Sequence, residues 1–446
     1  MMYAKLLQNL LNDAGYKTLA AGGCVRDFLL TIEPKDIDLA TEALPEQIIE
    51  VLNKNNIKTI ETGLKHGTIT AVVNKNNYEI TTLRLDRNCD GRHAEVEFIK
   101  SFEEDAKRRD LTINALFMDL NTYEIIDYVG GREDLNNKVL RFVGDPEKRI
   151  KEDFLRLLRF FRFASKLNFN LDQKSLFACK KYLPYLSYIS CERIREEFSK
   201  LLMGEGVYDV LMEHPDMVFT VFPEMLPTFK FNQNCDHHIY DVYTHSIKSV
   251  KYVRGLGSIN LSFAAFFHDI AKPLCYSIDP VSGKDHFYNH EDEGERIADK
   301  ICYRLKFSDQ DTKKIKFLIK NHMRFNNNLG ISALRRFIND CADFGDKMVI
   351  MDLFSLNRAD CYGMKEDDKD FKELSEKIDK CLEDLSQPKI DSPISGKEIM
   401  DTFNISEGKK VGIIKNYLKN LVIEGSLDQN DKETAIKLVS EYIVTL

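Results

Sequence analysis

In this chain β-patterning is confined to the first third, which limits the available folds more than any composition figure does. Tyr16 to Ala21 is extended and runs into Gly22-Gly23, Cys24 to Leu30 has helical spacing, and Ile37 to Ala40 reads as a short strand. Gly67 to Val73 and Tyr78 to Arg84 alternate or are rich in β-branched residues around Asn74-Lys75-Asn76-Asn77, predicting a hairpin. Val96 to Ile99 and Ile125 to Val129 supply further strand candidates. From Asp145-Pro146 onward the period becomes helical. Ile150 to Leu167 places apolar residues on one side and arginines on the other, and Cys191 to Met203 is a second amphipathic helix. The pattern predicts an α+β class: a small mixed sheet backed by helices, then a mostly α-helical remainder.

A chain of 446 residues is too long for one ordinary core and divides into two to four domains. We expect boundaries at 1–140, 141–225, 226–363 and 364–446. Pro223, Pro227 and the polar run Asn232 to Asp236 mark the middle one, and Pro388 and Pro393 break the Lys/Glu/Asp-rich helical tail. With 43% hydrophobic and 30% charged residues and no apolar run of membrane length, the composition is that of a soluble chain without a membrane partner. Its N-terminus has no charged-then-apolar leader pattern. The ten cysteines are scattered without a C-x-x-C pair, which reads as reduced thiols in a cytoplasmic protein rather than a zinc ribbon. A net charge of −8 weighs against nucleic acid over the whole surface. Basic clusters nevertheless stand at Lys107 to Arg109, Lys138 to Lys151, Arg156-Arg159-Arg162 and Lys313 to Lys320.

The motif Gly22-Gly23-x-x-Arg26-Asp27 precedes Asp36-x-Asp38. Glycines opening a helix let backbone N–H groups approach an anion, and Arg26 on the first turn is within reach of phosphate. Asp36 and Asp38, one residue apart on a strand, share a face suited to Mg²⁺, with Ile37 pointing the other way. A metal site beside a phosphate site points to nucleotidyl transfer, in which two Mg²⁺ activate the attacking hydroxyl and offset charge on the leaving pyrophosphate. Glu79 sits where a third carboxylate would stand, a position that an ordinary strand-surface Glu fills equally well.

These residues resemble the bacterial tRNA nucleotidyltransferases (CCA-adding enzymes) and poly(A) polymerases of the class II polymerase-β-like superfamily. The likeness continues in order through Leu83 to Phe98, Arg108-Arg109-Asp110 to Asn114, Gly144 to Arg162 and Glu192-Arg193 to Phe198. It implies a polymerase-β-like nucleotidyltransferase head followed by a helical neck and body. It also implies that Asp36 and Asp38 hold Mg²⁺, and that Gly22, Gly23, Arg26, Arg109, Asp110 and Asn114 bind the nucleotide. Asp153 and Arg156 would read the incoming base from one helical face at i, i+3, the carboxylate accepting from an exocyclic amine and the guanidinium donating to ring acceptors. Arg159 and Arg162 extend the basic side toward phosphates. The partners implied are tRNA, ATP and CTP.

A second constellation spans His245, Phe267-His268-Asp269, His286, His290, His322 and Asp360. It resembles the HD-domain metal-dependent phosphohydrolases. The likeness implies His245, His268, Asp269 and Asp360 as ligands of an unidentified divalent metal, with His290 and His322 serving a second metal or a substrate phosphate. His237, His238 and His286 read as ordinary surface or core histidines. The expected function is addition of CCA to the tRNA 3′ end from CTP and ATP, with a second phosphohydrolase activity on 3′-end or nucleotide phosphates. The segment Asp86 to Phe98 argues against a CC-only enzyme. A poly(A) polymerase or A-adding enzyme shares the chemistry, and an HD phosphohydrolase with an RNA-binding front half is the reading of another class. Monomer and homodimer are both left open.

Overall fold

The computed structural model describes residues 1–87, 91, 95–233, 239–281, 283–324, 334, 344, 348–365, 376 and 391–443. They form two compact units: Met1–Leu226 with Arg304–Lys306, and Pro227–Tyr303 with Phe307–Leu446.

The first unit begins with α1 (Met2–Asp13), β1 (Thr18–Ala21), α2 (Gly23–Leu29), β2 (Leu39–Thr41) and α3 (Pro45–Lys54). Then come β3 (Lys58–Gly63), β4 (Thr68–Val73), β5 (Asn76–Thr82), β6 (Arg84–Arg87), β7 (Glu95–Phe98), α4 (Phe102–Arg108), β8 (Phe117–Met118) and β9 (Ile125–Ile126). A seven-stranded sheet runs β3-β4-β5-β2-β1-β8-β9. Only β2 and β5 pair in parallel within it, so the sheet is mixed as expected. The β4–β5 hairpin closes over Asn74 and Lys75, both at positive φ. Alternation along the strands feeds two cores. Ala20, Leu39, Ile69 and Ile80 pack with Leu7 and Leu11 of α1 and Ile48 and Leu52 of α3. Leu19, Ala21, Ala40 and Phe117 pack with Phe102 and Ala106 of α4. The strand expected at Val96 to Ile99 exists as β7, but it pairs with β6 in a separate two-stranded ribbon.

Beyond the sheet stand α5 (Gly131–Asn136), β10 (Val139–Leu140), α6 (Pro146–Glu152), α7 (Leu155–Leu167), β11 (Asn170–Leu171), α8 (Gln173–Tyr182), α9 (Cys191–Leu202), α10 (Val207–Glu213) and α11 (Pro215–Val221). The single helix expected over Ile150 to Leu167 is two. Asp153 between them is extended (φ −153°, ψ 107°), and its Oδ1 accepts a bond from the Leu155 N–H at 3.1 Å. A short carboxylate that bonds the backbone ahead of it offers an alternative to the helical bond and starts a new helix. Pro146 at the first turn and the Asp145 cap, which accepts from the Glu147 N–H, begin α6.

The second unit holds α12 (Val242–Val253), α13 (Ile259–Phe267), β12 (Ser277–Ile278), β13 (Asp285–His286), α14 (His290–Arg304), α15 (Asp309–Asn321) and α16 (Met348–Lys365). Later come α17 (Gly396–Phe403), α18 (Lys409–Ile423) and α19 (Lys432–Ile443), with a small core of their own around Ile399, Ile414, Leu418 and Val439. His237, His238, Pro388 and Cys89 lie outside the described residues. No described helix is long and apolar enough to cross a membrane.

Candidate active sites

In the first unit, β1 ends at Ala21, whose N–H donates to the Asp38 carbonyl at 2.9 Å. Asp36 and Asp38 therefore lie on the approach to β2, not inside a strand from Ile37 to Ala40. The alternation holds all the same: Ile37 is buried and both aspartates are exposed. The parallel pairing of Leu39 with Ile80 puts Asp38 level with Glu79 on the neighbouring strand. Crowding by protein atoms, then Glu79, then Asp36 push the Asp38 carboxyl up to about 6, and Arg109 offsets this only in part. A carboxylate crowded by two others is eased by a bound cation, and oxygen donors of this kind suit a hard divalent ion such as Mg²⁺.

Gly22 turns the chain at φ 77°. A Cβ there would lie 3.0 Å from Arg109 Nη1, so the turn and that guanidinium leave no room for a side chain. Behind it, Arg26 is 3% exposed and already engaged. Its Nε and Nη2 donate to Asp27 Oδ1 at 2.8 and 2.6 Å, and its Nη1 donates to Asn114 Oδ1 at 2.5 Å. Asn114 Nδ2 donates to Asp110 Oδ1 at 3.3 Å, and Arg159 Nε donates to Asp110 Oδ2 at 2.7 Å. An unbroken polar chain thus runs from α2 to α7. Burial alone would raise Asp110, but Arg159 holds it well below the usual carboxylate range. Arg109 donates to Asp105, itself buried between Arg108 and Arg109. The ring of Phe163 lies under Arg162, Arg26 and Arg159 at 3.9, 5.0 and 5.6 Å. Sequence reasoning missed Phe163 and Asp105, although the signal was local. Arg108 and Arg109 stand three and four residues after Asp105, and Arg159 one helical turn before Phe163. Only Arg26 is brought to Phe163 by the fold.

Asp153 and Arg156 do not share a helical face, because the helix breaks at Asp153. Its Oδ2 accepts from Arg193 at 2.7 Å, while its backbone bridges Gly91. Arg156 donates to Glu152 at 2.6 Å and to the Arg149 and Arg108 carbonyls, with Asp86 of β6 3.8 Å away. The two side chains are thus held by different partners, while the Arg156 N–H donates to the Asp153 carbonyl at 2.9 Å. Arg162 pairs with buried Glu197 at 3.1 Å.

In the second unit, His245 of α12, His268 and Asp269 after α13, and Asp360 of α16 are all buried, with donor atoms within 4.8 Å of one another. Asp269 also forms a second group with His290 and His322. His245 Nε2 lies 3.1 Å from His268 Nε2, 2.9 Å from Asp360 and 3.4 Å from Asp269. His290 Nε2 lies 3.3 Å from His322 Nε2 and 3.5 Å from Asp269. Carbonyls can only accept, so contacts of Nδ1 with Ala265, Phe287 and Ile319 fix His268, His290 and His322 as Nδ1–H tautomers. Their Nε2 lone pairs then face the centre, the arrangement typical of metal-ligating imidazoles. Neither buried Asp269 oxygen accepts a well-formed hydrogen bond, although Lys272 Nζ lies 2.7 Å away. Burial would lower His268, but Asp269 and Asp360 raise it; burial does push His322 down to about 4. This donor set fits borderline or hard divalent metals.

Residues 18–141 match the poly A polymerase head domain, 168–227 the probable RNA and SrmB-binding site of polymerase A, and 242–343 the HD domain. The CCA-adding enzyme of Lactobacillus helveticus is 46% identical over 196 residues, 44% of this chain and 48% of that protein. The mitochondrial CCA tRNA nucleotidyltransferase 1 of Homo sapiens is 45% identical over 207 residues, 46% of this chain and 48% of that protein. The chain thus spans about half the length of the curated relatives it matches. The Bacillus stearothermophilus CCA-adding enzyme in complex with CTP aligns over 99% of this chain and 97% of its own, with TM-score 0.74 and 23% identity. The Thermotoga maritima CCA-adding enzyme complexed with tRNA aligns over 98% and 94%, with TM-score 0.56 and 17% identity. These likenesses establish a polymerase-β-like head with a helical body.

Proposed function

We propose that the chain is a template-independent tRNA nucleotidyltransferase that builds CCA from CTP and ATP, with a separate metal-dependent phosphohydrolase site in its second unit. The observation that carries the first part is the convergence of Asp36, Asp38 and Glu79 with the Gly22 turn, Arg109 and the Arg26-Asn114-Asp110-Arg159 chain. Identity of 46% over 196 residues to a CCA-adding enzyme supports it. Mg²⁺ held by Asp36 and Asp38 would supply charge neutralisation and hydroxyl activation at the α-phosphate. The chain's own residues do the rest. Gly22 leaves the approach open, Arg109 faces the carboxylates, and the guanidiniums around Phe163 draw the polyphosphate. Asp153 and Arg156 offer one acceptor and one donor to the base edge, which suits C and A and rejects U and G. Both must first give up partners, Arg193 for Asp153 and Glu152 for Arg156. Base binding therefore trades internal ion pairs for base pairs with little net charge change.

In the second unit, His245, His268, Asp269 and Asp360 would hold a divalent metal, and Asp269, His290 and His322 a second. Such a centre polarises a phosphoester toward water. Buried Lys272 sets a positive charge beside it, suited to a phosphate of a nucleotide or an RNA end. The free thiols Cys24, Cys179, Cys191, Cys275, Cys302 and Cys361 agree with a cytoplasmic setting.

The test is a tRNA transcript lacking its last three nucleotides, given CTP and ATP separately and together. Three additions followed by a stop are expected. A long A tail would replace this reading with a poly(A) polymerase, and addition of A alone with an A-adding enzyme. Phosphate release that needs divalent metal and is lost in His268→Ala would support the second site. Release unchanged by that substitution would remove it.

A further inference from the structure

Four aromatic rings gather where α6 meets α7. Phe154, directly after Asp153, stacks on Tyr185 with ring centroids 4.9 Å apart and stands 6.2 Å from Tyr188. Tyr185 and Tyr188 stack at 5.9 Å, and Tyr182 completes the group 5.6 Å from Tyr185. Phe154 and Tyr182 are buried, whereas Tyr185 is 42% and Tyr188 64% exposed. Two independent tethers hold the exposed pair beside Asp153. One is the Phe154 stack, and the other is Arg193, five residues after Tyr188, which donates to Asp153 at 2.7 Å. Lys151 and Lys181 lie 5.5 and 5.4 Å from the Tyr182 ring, and Lys181 also pairs with Glu147. Tyr185 and Tyr188 therefore present an open aromatic face to solvent. A flat aromatic surface flanked by cations is what unpaired bases bind, because every base has a π-face and every linkage a phosphate.

We propose that Tyr185 and Tyr188 form the stacking platform for the unpaired 3′-terminal nucleotide of the RNA acceptor, with Lys151 facing its phosphate. This deepens the nucleotidyltransferase reading and rests on it. The acceptor, rather than the incoming nucleotide, is assigned because the polyphosphate-suited guanidiniums cluster around Phe163, on the α2 side of α7. The platform also holds the growing end beside the Asp153 edge without reading its sequence, which suits an end that changes from the tRNA's own base to C at each step.

The chain has no tryptophan, so Tyr188→Trp creates a single fluorescent reporter. Titration with a tRNA transcript lacking its last three nucleotides should quench it, and the same titration of Tyr303→Trp, 88% exposed in the second unit, should not. Tyr185→Ala/Tyr188→Ala should weaken binding of that transcript roughly tenfold, a larger change than any in the KM for CTP. Tyr185→Phe/Tyr188→Phe should restore it. Tight binding without quenching, or an alanine pair that binds as the parent does, would overturn the platform and leave the nucleotidyltransferase reading standing. Quenching by CTP alone would overturn the acceptor assignment. A parent chain that neither binds nor extends the transcript would remove both readings together.

Discussion

Asp38 carries the sharpest residue-scale consequence. A carboxyl raised to about 6 in the fold is more easily protonated there than in the unfolded chain, so its ionisation opposes folding. The associated penalty is absent below the ordinary carboxylate range and complete above about pH 6. Asp38→Asn should therefore raise the melting temperature of the metal-free chain at pH 7 while abolishing nucleotide incorporation. Mg²⁺ should raise the melting temperature of the parent and not of the variant. A variant that melts lower than the parent without metal would contradict the crowding of Asp36, Asp38 and Glu79. Because the ion binds the deprotonated form, incorporation at limiting Mg²⁺ should fall as pH drops through 6. Asn114 offers a second case. Replacing it by Ala strips buried Arg26 and Asp110 of a shared partner, which should cost about 1–3 kcal/mol in chemical denaturation and raise the KM for both nucleotides.

At the scale of elements, the break between α6 and α7 depends on Gly91 as much as on Asp153. Gly91 sits at φ +89°, and a Cβ there would come 2.3 Å from the Phe154 ring, whose N–H donates to the Gly91 carbonyl at 3.0 Å. Gly91→Ala should thus displace Phe154 and loosen Asp153, costing about 1–3 kcal/mol and depressing addition of both C and A. Unchanged addition would mean that the bridge has no part in placing Asp153. Here the sequence was legible only in part. Helical periodicity runs straight through residues 150–167, and nothing local reveals that the Asp153 carboxylate will bond the Leu155 N–H. Asp36-x-Asp38 alternates about buried Ile37 as expected because alternation is local, although the strand itself starts at Leu39, two residues later than expected.

On the scale of the whole molecule, the two units should answer to different ligands. A species that binds only the native form stabilises it by mass action. CTP with Mg²⁺ should shift the unfolding of the first unit in calorimetry, and a transition-metal ion such as Mn²⁺ that of the second. Asp269→Ala should remove only the latter shift. If one ligand moved every transition equally, the sites would not be thermodynamically separate.

What the sequence determined by itself were the features carried by short spacing. These were the change from mixed to helical period after Asp145, the glycine turn, the paired aspartates and the ordered histidines. Each needs only backbone geometry within a few residues. The tertiary structure decided which charges share a partner. It brought Glu79 level with Asp38 through a parallel strand pair, laid Arg26 over Phe163, and turned three imidazoles inward by giving their Nδ1–H groups carbonyl partners. It also separated Asp153 from the helix of Arg156 and set two exposed tyrosines beside it. Glu79 with Asp38, Arg26 with Phe163 and the meeting of the four histidines and two aspartates join residues tens of positions apart, which no local period encodes. The Nδ1–H bonds themselves reach only three residues back.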